Sequence, residues 1–148
     1  MGTAEPTGAA GLFRTQGSRR PLMHLDTSFV IRGLIAESSE DLALRRWIMD
    51  GTPLGMSAVG WAELLCGPLG KGHLDLLKRV IGQIAPLDAE TASLAAQLFC
   101  STGRRRGTLA DCMIAATAMR ADAALATSNR EDFTRFVAQG LRLAETSS

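Results

Sequence analysis

Four residues with metal-binding oxygen atoms each stand beside an apolar run of this chain. They are three acids and one amide, namely Asp26, Glu63, Asp111 and Asn129. A carboxylate beside an apolar segment is costly unless something pairs with it. Several carboxylates gathered without matching bases are typical of a site for a hard divalent cation. The pattern therefore predicts metal-dependent chemistry on phosphate groups.

The elements that must position these residues alternate between short apolar runs and amphipathic helices. Strands are predicted at residues 22–25, 54–58, 84–87 and 123–127, with a last edge strand at 141–144. Helices are predicted at residues 27–36, 38–50, 57–67, 73–82, 89–102 and 108–119, and a short helical turn follows 132. Helix caps are expected at Ser38 or Ser39, near Ser57 and at Asp88. This alternation predicts an α/β fold, a three-layer α/β/α sandwich with a mostly parallel central sheet. Ligands of such sheets bind where the strands end.

Size and composition limit the class of protein. A chain of 148 residues fits one domain, predicted here at residues 22–146. The net charge of +1 gives no global basic field for nucleic acid, and five Phe, two Trp and no Tyr argue against a base-stacking sheet. Residues 1–21 lack the apolar core of a signal peptide, so a disordered extension or an upstream mis-start is expected. No apolar run is long enough to span a bilayer.

The three cysteines do not form a recognisable framework. Cys66, Cys100 and Cys112 are odd in number and lack zinc-site spacing, which argues against both a disulfide scaffold and a soft-metal site. They are predicted to be buried free thiols in a reducing, cytoplasmic compartment.

Asp26 and Asp111 each have a structural alternative to a role as ligand. Asp26 is equally compatible with an N-cap, although Thr27 is also able to cap the helix that follows. Asp111 lies three residues after Thr108, the spacing of a capping box. Residues 112–118 are almost entirely small or apolar, which indicates a buried helix with Asp111 at its mouth. That context favours a functional role for Asp111.

The remaining candidates are weaker when each is taken alone. Glu63 has the alternative of a solvated helix face, and Asn129 that of a turn residue. Asp132 is compatible with a cap or a first-turn acid. The arginines Arg104, Arg105 and Arg106 form either a solvated loop or a set of guanidinium contacts to phosphate. Trp47 and Trp61 are predicted to be core or interface anchors.

Taken together, four segments of the chain resemble the PIN-domain family of metal-dependent ribonucleases, and within it the VapC-type toxins of bacterial toxin–antitoxin pairs. The resemblance covers roughly residues 23–143. It is carried by the segments Leu25-Asp26-Thr27-Ser28, Ser57-Ala58-Val59-Gly60-Trp61-Ala62-Glu63-Leu64-Leu65-Cys66-Gly67, Leu109-Ala110-Asp111-Cys112-Met113-Ile114-Ala115-Ala116-Thr117-Ala118 and Leu125-Ala126-Thr127-Ser128-Asn129-Arg130-Glu131-Asp132-Phe133. Each motif is short, but four in the right order and spacing are specific.

The resemblance implies a catalytic set of Asp26, Glu63, Asp111 and Asn129. Asp26, Asp111 and Glu63 are expected to hold Mg²⁺ or Mn²⁺, and the activity implied is endoribonucleolytic hydrolysis of RNA phosphodiester bonds. The family often has an aspartate where this chain has Asn129. An amide oxygen coordinates metal without adding charge, so a second cation would be held more weakly, unless Asp132 compensates from the same loop.

Substrate and partner predictions follow from the same comparison. Substrate contacts are expected from Thr27, Ser128 and residues 104–106. The resemblance also implies a cognate antitoxin, and a homodimer is expected. Apolar residues of the early helices are candidates for either interface, with core burial as the alternative for each, namely Leu34, Leu44, Trp47 and Ile48.

Two other functions fit the same fold. One is a catalytically weakened PIN-fold protein that binds RNA or acts as a scaffold, with Asn129 marking the lost metal site. The other is a phosphate-handling receiver-type domain, which is disfavoured because no lysine stands near the final strand ends. Cation-dependent cleavage of RNA separates the first of these from a nuclease.

Overall fold

The computed structural model describes residues 21–146 of the chain, so all of the predicted extension except Pro21 lies outside the described residues. Within these residues the five strands are β1 (Met23–Leu25), β2 (Leu54–Ser57), β3 (Gln83–Ala85), β4 (Ala124–Ala126) and β5 (Arg142–Leu143). The seven α-helices of the same part of the chain are α1 (Thr27–Gly33), α2 (Ser39–Met49), α3 (Ala58–Cys66), α4 (Lys71–Val80), α5 (Ala89–Ser101), α6 (Leu109–Arg120) and α7 (Arg130–Thr134). Most predicted boundaries lie within one to three residues of these.

The sheet is entirely parallel, as the alternation of strands and helices predicts. Its strand order is β3-β2-β1-β4-β5, so β1 is the central strand. Met23 of β1 is in register with Leu54 on one side and with Ala124 on the other. The carboxyl ends of all five strands therefore meet at one edge, and Asp26, directly after β1, stands at the middle of that edge.

Helices cover both faces of the sheet, which confirms the three-layer architecture. Leu125 packs into one buried apolar cluster with Ile114 and Leu98, while its neighbours on β4, Ala124 and Ala126, pack into the other. Because successive strand residues point to opposite faces, the two clusters lie on opposite sides of the sheet. A parallel sheet buried on both faces accounts for the uninterrupted apolar runs in the sequence.

Three of the helices begin at the polar residues that the sequence suggests. The Ser38 hydroxyl accepts the Asp41 N–H at 3.0 Å, and the Ser57 hydroxyl accepts the Gly60 N–H at 2.9 Å. Asp88 accepts the Thr91 N–H at 2.8 Å. Each side chain satisfies one of the amides that a helix start leaves without an intrahelical partner.

His24 on the central strand is buried without a polar partner. His24 is only 1% exposed. Neither of its ring nitrogens has a hydrogen-bond partner within residues 21–146. Burial lowers the pKa of His24 to about 4. The ring fits because Gly55 lies opposite it on β2, where an added Cβ would stand 3.1 Å from the imidazole Cδ2.

One prediction about buried side chains is wrong, and one open alternative is decided. Cys112 is buried, but Cys66 and Cys100 are exposed, because they lie on the outer faces of α3 and α5. Of the four apolar residues assigned to an interface or the core, Trp47 belongs to the core, where it stacks on Phe29 at 5.6 Å between ring centroids. No helix among the described residues is long and apolar enough to cross a membrane.

Candidate active site

Asp26 is buried at the middle of the strand-end edge and is held by hydroxyl groups. It is 5% exposed, and its Oδ2 accepts the Ser28 hydroxyl at 2.7 Å and the Thr127 hydroxyl at 2.8 Å. Thr127 follows β4, so this contact joins the ends of two neighbouring strands. Within residues 21–146 the carboxylate makes no ion pair with a basic side chain.

The structure excludes one of the two alternatives for Asp26, the N-cap. The residue occupies the N-cap position of α1, but its side chain accepts no backbone N–H there. The carboxylate is therefore oriented by hydroxyls toward the strand-end edge rather than used to begin the helix. Orientation by neutral donors leaves the negative charge uncompensated, which is costly in a buried position unless a cation is supplied.

Glu63 is tied to the start of α1 by a single threonine. The Thr27 hydroxyl lies 2.8 Å from Glu63 Oε1 and 3.1 Å from the Gly60 carbonyl oxygen, and donates to both as a shared hydrogen bond. A Cβ at Gly60 would stand 3.2 Å from Met56 Cε and 3.3 Å from Ser57 Oγ, which is tighter than ordinary packing, so a side chain there would crowd its neighbours. Glu63 is exposed, as its structural alternative expects, but one of its oxygens is fixed beside the residue that follows Asp26.

Asp111 lies in the first turn of α6 in an unfavourable electrostatic environment. Burial, followed by the negative charge of Asp132 and then of Asp26, raises the pKa of Asp111 to about 6. Arg135 opposes this shift, and Glu63 adds to it. Three acids, Asp26, Glu63 and Asp132, therefore act on Asp111, and we refer to these three together with Asp111 as the acidic rim.

The capping box that would explain Asp111 structurally is not formed. Thr108 occupies the N-cap position of α6, but its side chain accepts no backbone N–H there. Instead its hydroxyl donates to the Arg105 carbonyl oxygen at 2.7 Å. The side chain of Asp111 is 30% exposed and takes no part in starting the helix.

Arg135 is the basic side chain that faces Asp111. Its Nη2 lies 3.8 Å from Asp111 Oδ2, an ion pair that is too long for a hydrogen bond. The guanidinium carbon lies 4.7 Å from the centroid of the Phe136 ring, and Nε and Nη2 are buried without a hydrogen-bond partner in the described part of the chain. One partly satisfied guanidinium does not balance the four acids.

The loop after β4 brings Asn129 to the same edge. The Asn129 N–H donates to the Thr127 hydroxyl at 3.0 Å, and its exposed side chain makes no capping bond to α7. The Ser128 N–H donates to the Ser28 hydroxyl at 3.1 Å. Asp132 is exposed in the first turn of α7, which agrees with one of its structural alternatives.

The three arginines precede α6 without contacting the acidic rim. Residues 104–106 lie in the exposed loop between α5 and α6, and Arg104 has a positive φ of 54°. None of the three forms an ion pair with an acid of the described chain. Their side chains are thus available to an external anion, and the solvated-loop alternative describes their present position equally well.

The acidic rim and Asn129 offer the type of ligand atoms that a hard cation binds, but the carboxylates of the rim lie too far apart to enclose one. Carboxylate and amide oxygens are the ligands that Mg²⁺ and Mn²⁺ prefer. Among residues 21–146, however, no three His, Cys, Asp or Glu side chains are gathered closely enough to enclose a metal ion. Burial first, and then the neighbouring carboxylates, raise the pKa of Asp111, so negative charge is unfavourable at this position and a bound cation would relieve that cost.

Sequence reasoning did not find three residues that contribute to this site. Arg135, Thr127 and Glu40 all contact candidate residues, and Glu40 accepts the Ser128 hydroxyl at 2.6 Å. Their partners lie 24, 101 and 88 positions away in the chain. No local spacing connects such pairs, so only the fold reveals them.

Comparison with known families gives one match. The model of the PIN domain matches residues 23–138, which include every member of the acidic rim. A search of curated proteins gave no significant match.

Several solved structures share the fold. One is VapBC2 from Rickettsia felis bound to a DNA fragment from their promoter, with 21% identity over 83% of this chain and 97% of that one and a TM-score of 0.69. Another is VapBC-1 from nontypeable Haemophilus influenzae, with 20% identity, coverage of 86% and 99%, and a TM-score of 0.65. A third is VapBC-5 from Mycobacterium tuberculosis, a member of the VapBC family of toxin–antitoxin systems, with 25% identity, coverage of 83% and 99%, and a TM-score of 0.54.

Proposed function

The chain belongs to the PIN-domain family, and on this premise we propose that it is a metal-dependent endoribonuclease and the toxin of a toxin–antitoxin pair. The observation that carries the proposal is the acidic rim: Asp111 and the three carboxylates that act on it at the strand-end edge, with Arg135 as the one base among residues 21–146 that forms an ion pair with any of them. A site rich in negative charge is suited to a cation, and a bound cation polarises a phosphate group and activates water.

Each acid has a distinct task in this proposal. Asp26 and Asp111 hold the cation, and Glu63, oriented by Thr27, completes its ligands directly or through water. Asn129 offers a neutral amide oxygen at the same edge. When bound, Mg²⁺ or Mn²⁺ supplies positive charge to the scissile phosphate and lowers the pKa of the attacking water. The protein contributes by keeping these oxygens in position before the substrate arrives.

RNA is proposed as the substrate, held by a small number of basic contacts. Residues 104–106 provide exposed guanidinium groups next to the start of α6, which suits bidentate contacts to phosphate oxygens. Thr27 and Ser128 are the hydroxyl-bearing residues proposed to contact the substrate. The low aromatic content leaves little capacity for stacking, so recognition is expected to depend on the backbone of the RNA.

An apolar groove away from the acidic rim supports the proposal of an antitoxin partner. The groove lies between α1, α2 and α4 and has a volume of about 220 Å³. Leu34, Leu44 and Ile48 line it, as predicted for an interface, together with Leu76 and Val80. An apolar helix face laid into such a groove is a common form of recognition. The homodimer stays a prediction, which sedimentation of the purified chain tests.

The test of the nuclease proposal is cleavage of defined RNAs by the purified protein. We expect cleavage with Mg²⁺ or Mn²⁺, none with EDTA, and none by Asp26→Asn with either cation. Asp75→Asn is the matched control, because Asp75 is an exposed acid on α4 that pairs with Lys71 outside the acidic rim. Single-stranded DNA of the same sequence tests whether the substrate is RNA.

Two outcomes would overturn the proposal. Full cleavage by Asp26→Asn would remove the acidic rim from the reaction. Binding of RNA without cation-dependent cleavage would instead favour the weakened, RNA-binding protein, in which the neutral Asn129 marks a site that no longer holds the metal needed for catalysis.

A further inference from the structure

Glu40 is a buried carboxylate whose hydrogen bonds reach the loop of the candidate active site. It lies in the first turn of α2 and is 8% exposed. Its Oε2 accepts the Ser128 hydroxyl at 2.6 Å and the Arg32 Nε–H at 3.0 Å, and its Oε1 accepts the Ser39 hydroxyl at 3.0 Å. Burial alone would raise the pKa of Glu40, but the hydrogen bonds, led by that from Ser128, hold it below its usual value.

The bond to Ser128 closes a network that runs to Asp26. The backbone N–H groups of Ser128 and Asn129 donate to the hydroxyls of Ser28 and Thr127, at 3.1 Å and 3.0 Å. Both of these hydroxyls donate in turn to Asp26 Oδ2. The site loop, residues 127–129, is thus held from two sides. Its backbone N–H groups connect to Asp26 through the hydroxyls of Ser28 and Thr127, and the Ser128 side chain connects to Glu40 in α2.

We propose that Glu40 is a positioning residue that fixes the site loop through Ser128, so that Asn129 is presented beside Asp26. Charge-assisted O–H···O⁻ bonds of this length are among the strongest that a hydroxyl makes. Residues that orient metal ligands from behind commonly matter nearly as much as the ligands. The catalytic consequence rests on the proposed nuclease function, whereas the effect on the loop does not.

The chain offers a matched control at the next position. Asp41 is also 8% exposed and also pairs with an arginine at 3.0 Å, in this case Arg45. Its other partner is the Glu37 N–H, so its contacts stay within α2 and the turn that precedes it. Removing Asp41 therefore leaves a comparable buried defect in the same helical turn without releasing the site loop.

The experiment compares Glu40→Ala, Glu40→Gln and Asp41→Ala by amide hydrogen exchange and by RNA cleavage. In Glu40→Ala we expect exchange at Ser128 and Asn129 to accelerate about tenfold and kcat/KM to fall about 10- to 100-fold, the usual range for a lost outer partner of a metal ligand. Asp41→Ala should stay within about twofold of the parent at both amides. Glu40→Gln retains an acceptor for Ser128 and should restore most of the protection.

Ser128→Ala removes the same hydrogen bond from its other end and serves if Glu40→Ala does not fold. It should accelerate exchange at Asn129 as Glu40→Ala does, and the double variant should be no worse than either single variant, because both remove one interaction. Unchanged exchange at Asn129 in Ser128→Ala, or equal acceleration in Asp41→Ala, overturns the proposal. If the parent cleaves no RNA, the nuclease proposal fails, while the exchange rates still decide the role of Glu40.

Discussion

Asp26 and Asp111 stand at the same edge of the sheet in opposite environments. Asp26 is 5% exposed and accepts two hydroxyls, which are tied to backbone amides of the site loop. The Asp111 side chain is 30% exposed and has a long ion pair to Arg135, and burial followed by the charge of neighbouring acids raises its pKa to about 6. One carboxylate is fixed by neutral donors, while the other is held among like charges.

The difference separates two requirements of a metal site. The hydroxyl donors around Asp26 fix the position of its carboxylate without neutralising the negative charge. The position of this carboxylate is therefore set before any ligand binds. Burial and the neighbouring acids make the charge of Asp111 unfavourable in the ligand-free protein, and in the proposed site a bound cation would relieve this cost and gain affinity from it. Strongly perturbed acids in clefts commonly mark functional sites for this reason.

The largest expected effect concerns catalysis, in which both acids should matter equally despite their environments. Loss of either charge removes several kcal/mol of transition-state stabilisation, so Asp26→Asn and Asp111→Asn should each lower kcat/KM on the order of 1,000-fold. RNA cleavage under single-turnover conditions measures this. Asp122→Asn is the control, because Asp122 is exposed and pairs with Arg142. A large loss in only one of the two variants would break the comparison.

A pH series should reveal His24 as an acid-sensitive element of the fold. Its folded pKa of about 4 lies below the ordinary value of 6.5, so the unfolded chain binds the proton more readily. The free energy of unfolding therefore falls as the pH drops from 6.5 to 4, by roughly 3 kcal/mol. Urea unfolding of His24→Leu should lack this loss. A variant that remains as acid-sensitive as the parent would show that other groups are responsible.

Asp111 should contribute the opposite slope over a similar range. Its folded pKa of about 6 lies above the ordinary 3.8, so its stabilising contribution is full below pH 4 and is lost as the pH rises to 6. Asp111→Asn should consequently be more stable than the parent above pH 6 in EDTA, and should lose stability more steeply in acid because His24 is then unopposed. If the free energy of unfolding of Asp111→Asn depends on pH just as that of the parent does, the unfavourable charge of Asp111 would no longer distinguish it from Asp26.

Cation binding gives an effect of intermediate size. Mn²⁺ at 100 times the Kd of the parent should raise the free energy of unfolding of the parent by about 2.7 kcal/mol. The same Mn²⁺ concentration should stabilise Asp111→Asn by much less, because that variant binds the cation more weakly. Asn129→Asp should tighten binding severalfold, since one added charge at contact distance contributes about 1 kcal/mol in water. Thermal unfolding with and without Mn²⁺ measures both. Equal stabilisation of parent and Asp111→Asn would place the cation elsewhere.

The smallest effect is expected at the basic loop of residues 104–106. Replacing all three arginines by alanine should raise KM for RNA severalfold and flatten its salt dependence, while kcat stays near the parent value. Rates measured at two salt concentrations separate these terms. An unchanged KM would leave the loop as a solvated segment and would restrict substrate binding to the strand-end edge.

The parts of the fold that local chemistry decides were accessible from the sequence. Ser38, Ser57 and Asp88 could be identified as caps because a helix start needs an acceptor within three residues. The parallel sheet followed from the alternation of apolar runs with helices. Thr108 shows the limit of such reasoning, because its hydroxyl contacts the preceding turn instead of the helix that it begins.

The candidate site was only partly accessible, for a physical reason. Asp26, Glu63 and Asp111 could be named because carboxylates beside apolar runs are unusual. Their surroundings depend on tertiary contacts. A hydroxyl that fixes Asp26 comes from Thr127, and the guanidinium that faces Asp111 comes from Arg135. The exposure of Cys66 and Cys100 was likewise missed, because an apolar helix does not reveal which of its faces is covered.

The bond between Thr127 and Asp26 has a consequence for the timing of synthesis. The two residues are 101 positions apart, and the neighbouring links from Ser128 to Ser28 and Glu40 span 100 and 88 positions. At common translation rates, roughly 5 to 20 s separate the emergence of Asp26 from that of Thr127. The helices that line the groove, α1, α2 and α4, are all synthesised by Val80, well before Thr127. During that interval a nascent chain carries the residues of the groove but lacks the Thr127 hydroxyl that fixes Asp26.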